Sequence, residues 1–151
     1  MLFDGYQAGY KILHRTSIDQ PRTNVYDREW DVLVVLDACR LDLLEQVEKE
    51  YSFVENTDSI FSVGSASLEW MEKTFREEYR SEVAGTAYVT GNVKSNLAFE
   101  GEELYLLDEV WKYSWDEEIG TIRPRPITDR AIRTWRDEHP ERMIVHYMQP
   151  H

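Results

Sequence analysis

Cysteine is nearly absent: Cys39 is the only one in 151 residues, which excludes an internal disulfide framework and a paired-cysteine zinc site. Long apolar runs are missing as well. No stretch approaches the ~18 residues that span a bilayer, and the first residues lack the apolar core of a signal peptide. The chain is therefore expected to be cytoplasmic, with no membrane segment. Positive charge is scarce, with Lys and Arg totalling 17 against 29 Asp and Glu, for a formal net charge of -12. A field of that sign repels nucleic-acid phosphates and anionic lipid, so no nucleic-acid partner is expected.

Lysine is scarcer still, limited to Lys11, Lys49, Lys73, Lys94 and Lys112, and the remaining cations are Arg. An acidic, lysine-poor surface resembles those of halophilic archaeal proteins, whose carboxylates stay hydrated in concentrated salt; an ordinary acidic cytoplasmic protein has a similar balance. The length suits one domain, enough to bury about two-thirds of the unfolded surface around a single core.

Two segments are expected. Residues 1–30 read as a short helix, with Tyr6, Tyr10, Ile12 and Leu13 at loosely helical spacing, followed by a connecting loop. Residues 31–151 read as alternating strands and helices. Val32 to Leu36 is an unbroken β-branched and leucine run, as in a parallel strand covered on both faces. Leu41, Leu43, Leu44 and Val47 then mark one side of a helix running to about Tyr51.

Asp58 to Ser67 is small and polar and feeds a helix through Leu68 to Phe75. Thr86 to Thr90 reads as a strand closed by Gly91-Asn92, and Leu104, Leu107, Val110 and Trp111 have helical spacing. Thr128 would cap a helix from Asp129 to Glu138 that ends at His139-Pro140, and Met143 to Met148 reads as another buried strand. The pattern predicts an α/β three-layer sandwich with a mainly parallel sheet. Because a buried strand this near the end of the sequence normally needs a covering element, the chain is expected to be the N-terminal portion of a longer protein.

Open α/β sheets bind ligands beyond the carboxyl ends of their strands, which selects Asp37 with Arg40, Asn92 and His151. An ionised carboxylate after five apolar residues is costly without a cation or several donors. Asp37 is therefore a candidate metal ligand, although a cap for the following helix is the other use of Asp at such a place. Arg40 is placed either to bind an anionic substrate or to pair with Asp42. Ser65 and Ser67 offer hydroxyls at a helix start, where backbone N–H groups favour anions.

Cys39 reads as a small buried residue and His146, inside a strand, as a packed histidine. His14 and His139 have no evident partner. The aromatic set Trp70, Trp111, Tyr113, Trp115 and Trp135 reads as core and helix packing.

The order of these motifs resembles the alkaline phosphatase superfamily, which includes sulfatases, phosphoethanolamine transferases and lipoteichoic acid synthases. Val34-Val-Leu-Asp37-Ala-Cys-Arg40-Leu-Asp42 is similar to the opening strand and its metal-binding acid. Ser62-Val-Gly-Ser-Ala-Ser-Leu-Glu-Trp-Met71 looks like the nucleophile loop and helix. Val145-His-Tyr-Met-Gln-Pro-His151 resembles the later strand whose terminal histidine contacts the substrate anion. With Tyr88 to Asn92 and Leu107 to Trp111, the run from about residue 30 onward looks like sulfatase-like proteins of halophilic archaea. The sulfatase signature Cys-x-Pro-Ser-Arg is absent, so formylglycine chemistry is not implied.

The resemblance implies an alkaline-phosphatase-like fold and a divalent metal (Zn, Mg, Mn or Ca) bound partly by Asp37. It also implies a hydroxyl nucleophile, Ser67 in preference to Ser65, and contacts from Arg40 and His151 to a phosphate or sulfate ester. Hydrolase and transferase outcomes both remain. Family members carry further metal ligands after the position of His151, so the chain as given is expected to be inactive. The alternative is a non-catalytic sulfatase-like binding or interaction module. A haloacid-dehalogenase-type phosphatase would need a second Asp where Cys39 stands.

Overall fold

A computed structural model describes residues 21–37, 39–54, 59–99 and 103–149. The helix expected near the N-terminus lies outside these residues, as does His151. Four parallel strands form the main sheet: β1 (Val32–Leu36), β2 (Thr86–Thr90), β3 (Leu106–Glu109) and β6 (Arg142–Tyr147), in the order β1-β6-β2-β3. The helices are α1 (Leu41–Val47), α2 (Ser67–Thr74), α3 (Arg80–Ala84), α4 (Ser95–Ala98), α5 (Trp111–Ser114) and α6 (Pro124–Glu138). A small antiparallel ribbon, β4 (Trp115–Asp116) with β5 (Thr121–Ile122), precedes α6.

Side chains alternate between the faces of a pleated strand, and the sheet accordingly divides the core in two. Leu33, Val35, Tyr88 and Ile144 point to one face, where Trp70 and Met71 of α2 and Val83 of α3 pack on them. Ala87, Val89, Met143 and Val145 point to the other, beneath Ile127 and Ala131 of α6. The result is an α/β architecture with helices on both faces of a parallel sheet, compatible with a three-layer sandwich.

Several boundaries differ from the sequence reading. β1 was expected to be covered on both faces, yet Val32 and Val34 are 40% and 38% exposed. The reason is position: β1 is the end strand, and α6 packs over β6 and β2. α1 buries none of its residues and gives way to a 3-10 turn at Glu48–Glu50. The helical spacing at Leu104 to Trp111 instead contains β3 and the start of α5.

α6 begins at Pro124, and Arg123 takes the N-cap position assigned to Thr128. The Pro ring suits a first helical turn because no intrahelical partner is needed for its missing N–H. The Thr128 hydroxyl instead contacts the Pro124 carbonyl and the Tyr147 hydroxyl. His139, at φ 50°, closes α6 in the left-handed region, so the expected stop at His139-Pro140 holds.

The segment before β1 fixes the loop that leads into α2. Arg22 donates to the carbonyls of Ser62 and Val63 at 3.2 and 3.1 Å, and the Thr23 N–H donates to the Phe61 carbonyl at 2.9 Å. The buried Asn24 side chain donates to the carbonyls of Lys73 and Thr74, closing the far end of α2. Both ends of the short helix are thus anchored by residues 22–24.

Candidate active site

The register brings three strand ends to one edge. His146 is paired with Val35 of β1 on one side and Thr90 of β2 on the other. The ladders continue past the strands, with the Asp37 N–H donating to the Tyr147 carbonyl at 3.1 Å and the Gly91 N–H to the His146 carbonyl at 2.8 Å. Asp37 and Asn92 therefore emerge side by side at the carboxyl edge, where α/β folds bind ligands.

Ser67 is the first residue of α2, following Ala66 at the N-cap. Its hydroxyl donates to Asp37 Oδ2 at 2.8 Å, across 30 residues of sequence. Asn92 Nδ2 donates to the same oxygen at 2.8 Å, and His146 Nε2 stands 3.6 Å from it. The 3.6 Å separation is an electrostatic contact, too long for a hydrogen bond. The Lys94 N–H donates to Asn92 Oδ1 at 2.9 Å, which turns the amide so that its nitrogen faces the carboxylate.

The two serines are separated by their partners. The Ser65 N–H and hydroxyl both donate to Glu69 Oε2, each at 2.8 Å, and Lys73 pairs with the other Glu69 oxygen. Lys73, with the two Ser65 donors behind it, holds the Glu69 carboxyl down at about 2. Of the two hydroxyls left open by the sequence, Ser67 is the one brought to Asp37.

Behind Asp37 lies a buried polar chain. Tyr88 Oη and His146 Nδ1 are 2.6 Å apart, and Trp70 meets the imidazole edge-on with ring centroids 5.7 Å apart. Burial, reinforced by the Asp37 charge, raises the Tyr88 phenol far above its ordinary range, although the nearby Thr90 hydroxyl opposes the shift. Tyr88 therefore remains a proton donor. On the other side of the site, Thr90 Oγ1 accepts from the Asn92 N–H at 3.0 Å.

His146, read from sequence as a packed histidine, is indeed 2% exposed, but it is packed against the carboxylate. Its link to Asp37 depends on pairing of distant strands, which residue spacing does not reveal. Arg40 forks onto Asp42 at 2.9 and 3.0 Å on the exposed surface, the second of the two uses foreseen for it. Cys39 is half-buried. In the aromatic set Trp70 is core and Trp111 is half-buried, whereas Tyr113, Trp115 and Trp135 are exposed.

Asp37 and Ser67 offer adjacent oxygens, the donor type that Mg, Mn, Ca and Zn accept, so the residues fit a divalent ion in kind. They are too few to complete its coordination, because among the described residues no group of three or more His, Cys, Asp and Glu side chains is placed to hold a metal. No helix among the described residues is long and apolar enough to cross a membrane. Compared with protein-family models, curated proteins and solved structures, the chain matches none of them.

Proposed function

We propose that Asp37 and Ser67 belong to a metal-dependent hydrolase or group transferase acting on phosphate or sulfate esters, built on an alkaline-phosphatase-like fold. The observation that carries this reading is the 2.8 Å hydrogen bond from the Ser67 hydroxyl to Asp37 at the carboxyl edge of the sheet. An alcohol is a weak nucleophile at its free pKa and needs a base or a metal beside it. Asp37 is that base, and Asn92 orients it.

Ser67 Oγ attacks phosphorus or sulfur in line and hands its proton along the hydrogen bond to Asp37. The bond to the ester oxygen breaks, the leaving alkoxide or phenolate takes up a proton from solvent while Asp37 returns its own to solvent, and a serine ester remains. Water resolves it in hydrolysis, and an acceptor alcohol resolves it in transfer. Backbone N–H groups in the first turn of α2 stabilise the non-bridging oxygens, joined by His151, or by Arg40 if it leaves its surface pair with Asp42 and turns inward. A divalent metal bound by Asp37 and Ser67 would polarise the ester and lower the pKa of the hydroxyl.

Among the described residues the ligand set is partial, so the 151-residue chain is expected to complete no catalytic cycle on an aryl ester by itself. In a protein that supplies the remaining ligands, Asp37→Ala and Ser67→Ala each abolish metal-dependent hydrolysis of aryl phosphate or aryl sulfate with folding intact. Retained activity in both variants would overturn the assignment. The short ligand count also favours a second reading, a binding module that holds an anion at the start of α2 without reacting. That module would bind inorganic phosphate or sulfate equally well with Ser67→Ala.

A further inference from the structure

His146 occupies the centre of the sheet, between β1 and β2, and the mechanism above does not use it. One ring nitrogen faces a phenol and the other faces the carboxylate. Were Nδ1 protonated, it would donate to Tyr88 Oη, and the Nε2 lone pair would be aimed at Asp37 Oδ2 from 3.6 Å. That arrangement sets two electron-rich atoms against each other. The opposite tautomer removes the conflict, because Tyr88 donates to Nδ1 and the ring proton sits on Nε2, facing the carboxylate.

The donor directions then run consistently through the site. Tyr88 donates to His146, and Nε2–H points to Asp37, while the Asn92 N–H donates to Thr90 Oγ1 at the end of the neighbouring strand. Asn92 Nδ2 reaches the same carboxylate oxygen from the other side. Oδ2 is therefore bracketed by Asn92 and His146, with Ser67 approaching from α2.

We infer that His146 is a positioning residue, held as its Nε2–H tautomer by Tyr88, and that it sets the Asp37 carboxylate in the orientation that receives the Ser67 proton. The inference rests on the reading of Asp37 and Ser67 as base and nucleophile. Trp70, packed edge-on against the imidazole, restricts its rotation and keeps Nε2 on the site. A histidine that only filled space would need neither the phenol nor a fixed tautomer.

The test uses the full 151-residue chain and does not depend on turnover. In nitrogen-15 spectra of the histidine rings, His146 is expected to show a protonated Nε2 and a bare Nδ1, and Tyr88→Phe is expected to release this preference. The side-chain amide of Asn92 reports the carboxylate: its protons should move upfield in His146→Leu and in Tyr88→Phe, and return in His146→Gln, whose amide nitrogen can replace Nε2–H. A protonated Nδ1 in the wild type, or Gln and Leu variants with the same Asn92 signal, would overturn the proposal.

In parallel, the rate of Ser67 modification by an aryl fluorophosphonate should fall roughly tenfold or more in His146→Leu and recover in His146→Gln, the range expected for a group behind a reacting carboxylate. If the wild type is not modified while the Asn92 signal behaves as described, the nucleophile assignment fails and the positioning of Asp37 stands. Should His146→Leu fail to fold, Tyr88→Phe supplies the same comparison by losing one oxygen.

Discussion

Tyr88 and His146 meet across neighbouring strands through a 2.6 Å contact between Oη and Nδ1, in a part of the core that solvent does not reach. The pair is diagonal in the ladder, since Tyr88 is registered with Ile144 and His146 with Thr90. Removing one partner leaves the other buried without its hydrogen bond, which costs about 1–3 kcal/mol. Tyr88→Phe is therefore expected to lower unfolding stability by about that amount in a urea titration. An unchanged midpoint would mean that the contact contributes nothing.

A second prediction concerns acid. The Glu69 carboxyl is held down at about 2 by Lys73 and Ser65. A depressed carboxyl stabilises the fold fully above the ordinary glutamate range, near ~4.3, and this contribution is lost as pH falls through the folded value. The Ser65 amide resonance should therefore stay in place from neutral pH down past the ordinary range and move only as the pH approaches about 2. Glu69→Gln should remove that transition. A Ser65 signal that titrates at the usual glutamate pKa would show that the Lys73–Glu69 pair does not persist in solution.

Glycine substitutions should separate the loop from the sheet. A Cβ at Gly64 would lie 2.4 Å from the Trp70 backbone nitrogen, whereas one at Gly91 would meet the Ile127 side chain at 2.5 Å. Backbone cannot step aside as a side-chain tip can. Gly64→Ala is expected at or above the upper end of the ~1–3 kcal/mol range for overpacking, and Gly91→Ala towards its lower end. Thermal unfolding of the two variants orders them, and the reverse order would contradict the packing of the loop on α2.

Much of this architecture was legible before the structure. The apolar run Val32–Leu36 and the short β-branched run Thr86–Thr90 became strands with the expected bounds, and the third was displaced by one residue to Arg142–Tyr147. β3 was missed because Leu104, Leu107 and Val110 imitate helical spacing, and a strand of four residues is too short to show alternation. The start of α6 was missed although Pro124 marks a first turn, because Thr128 also looks like a cap.

At the site, Asp37 and Ser67 stood out through their places after a strand and before a helix. His146 did not, since a histidine inside a strand reads as packing. Its partner Tyr88 is 58 residues away, and only the pairing of β2 with β6 brings them together.

The central claim is that Asp37 activates Ser67. It is tested most directly by treating the 151-residue chain with an aryl fluorophosphonate and locating the adduct by mass spectrometry. The account predicts one phosphonyl group per chain, on Ser67, with the new O–P bond replacing P–F. The adduct should be lost in Ser67→Ala, persist in Ser65→Ala, and form about a hundredfold more slowly in Asp37→Asn, as befits removal of a positioned base. Modification of Ser65 instead, or an undiminished rate in Asp37→Asn, would contradict it.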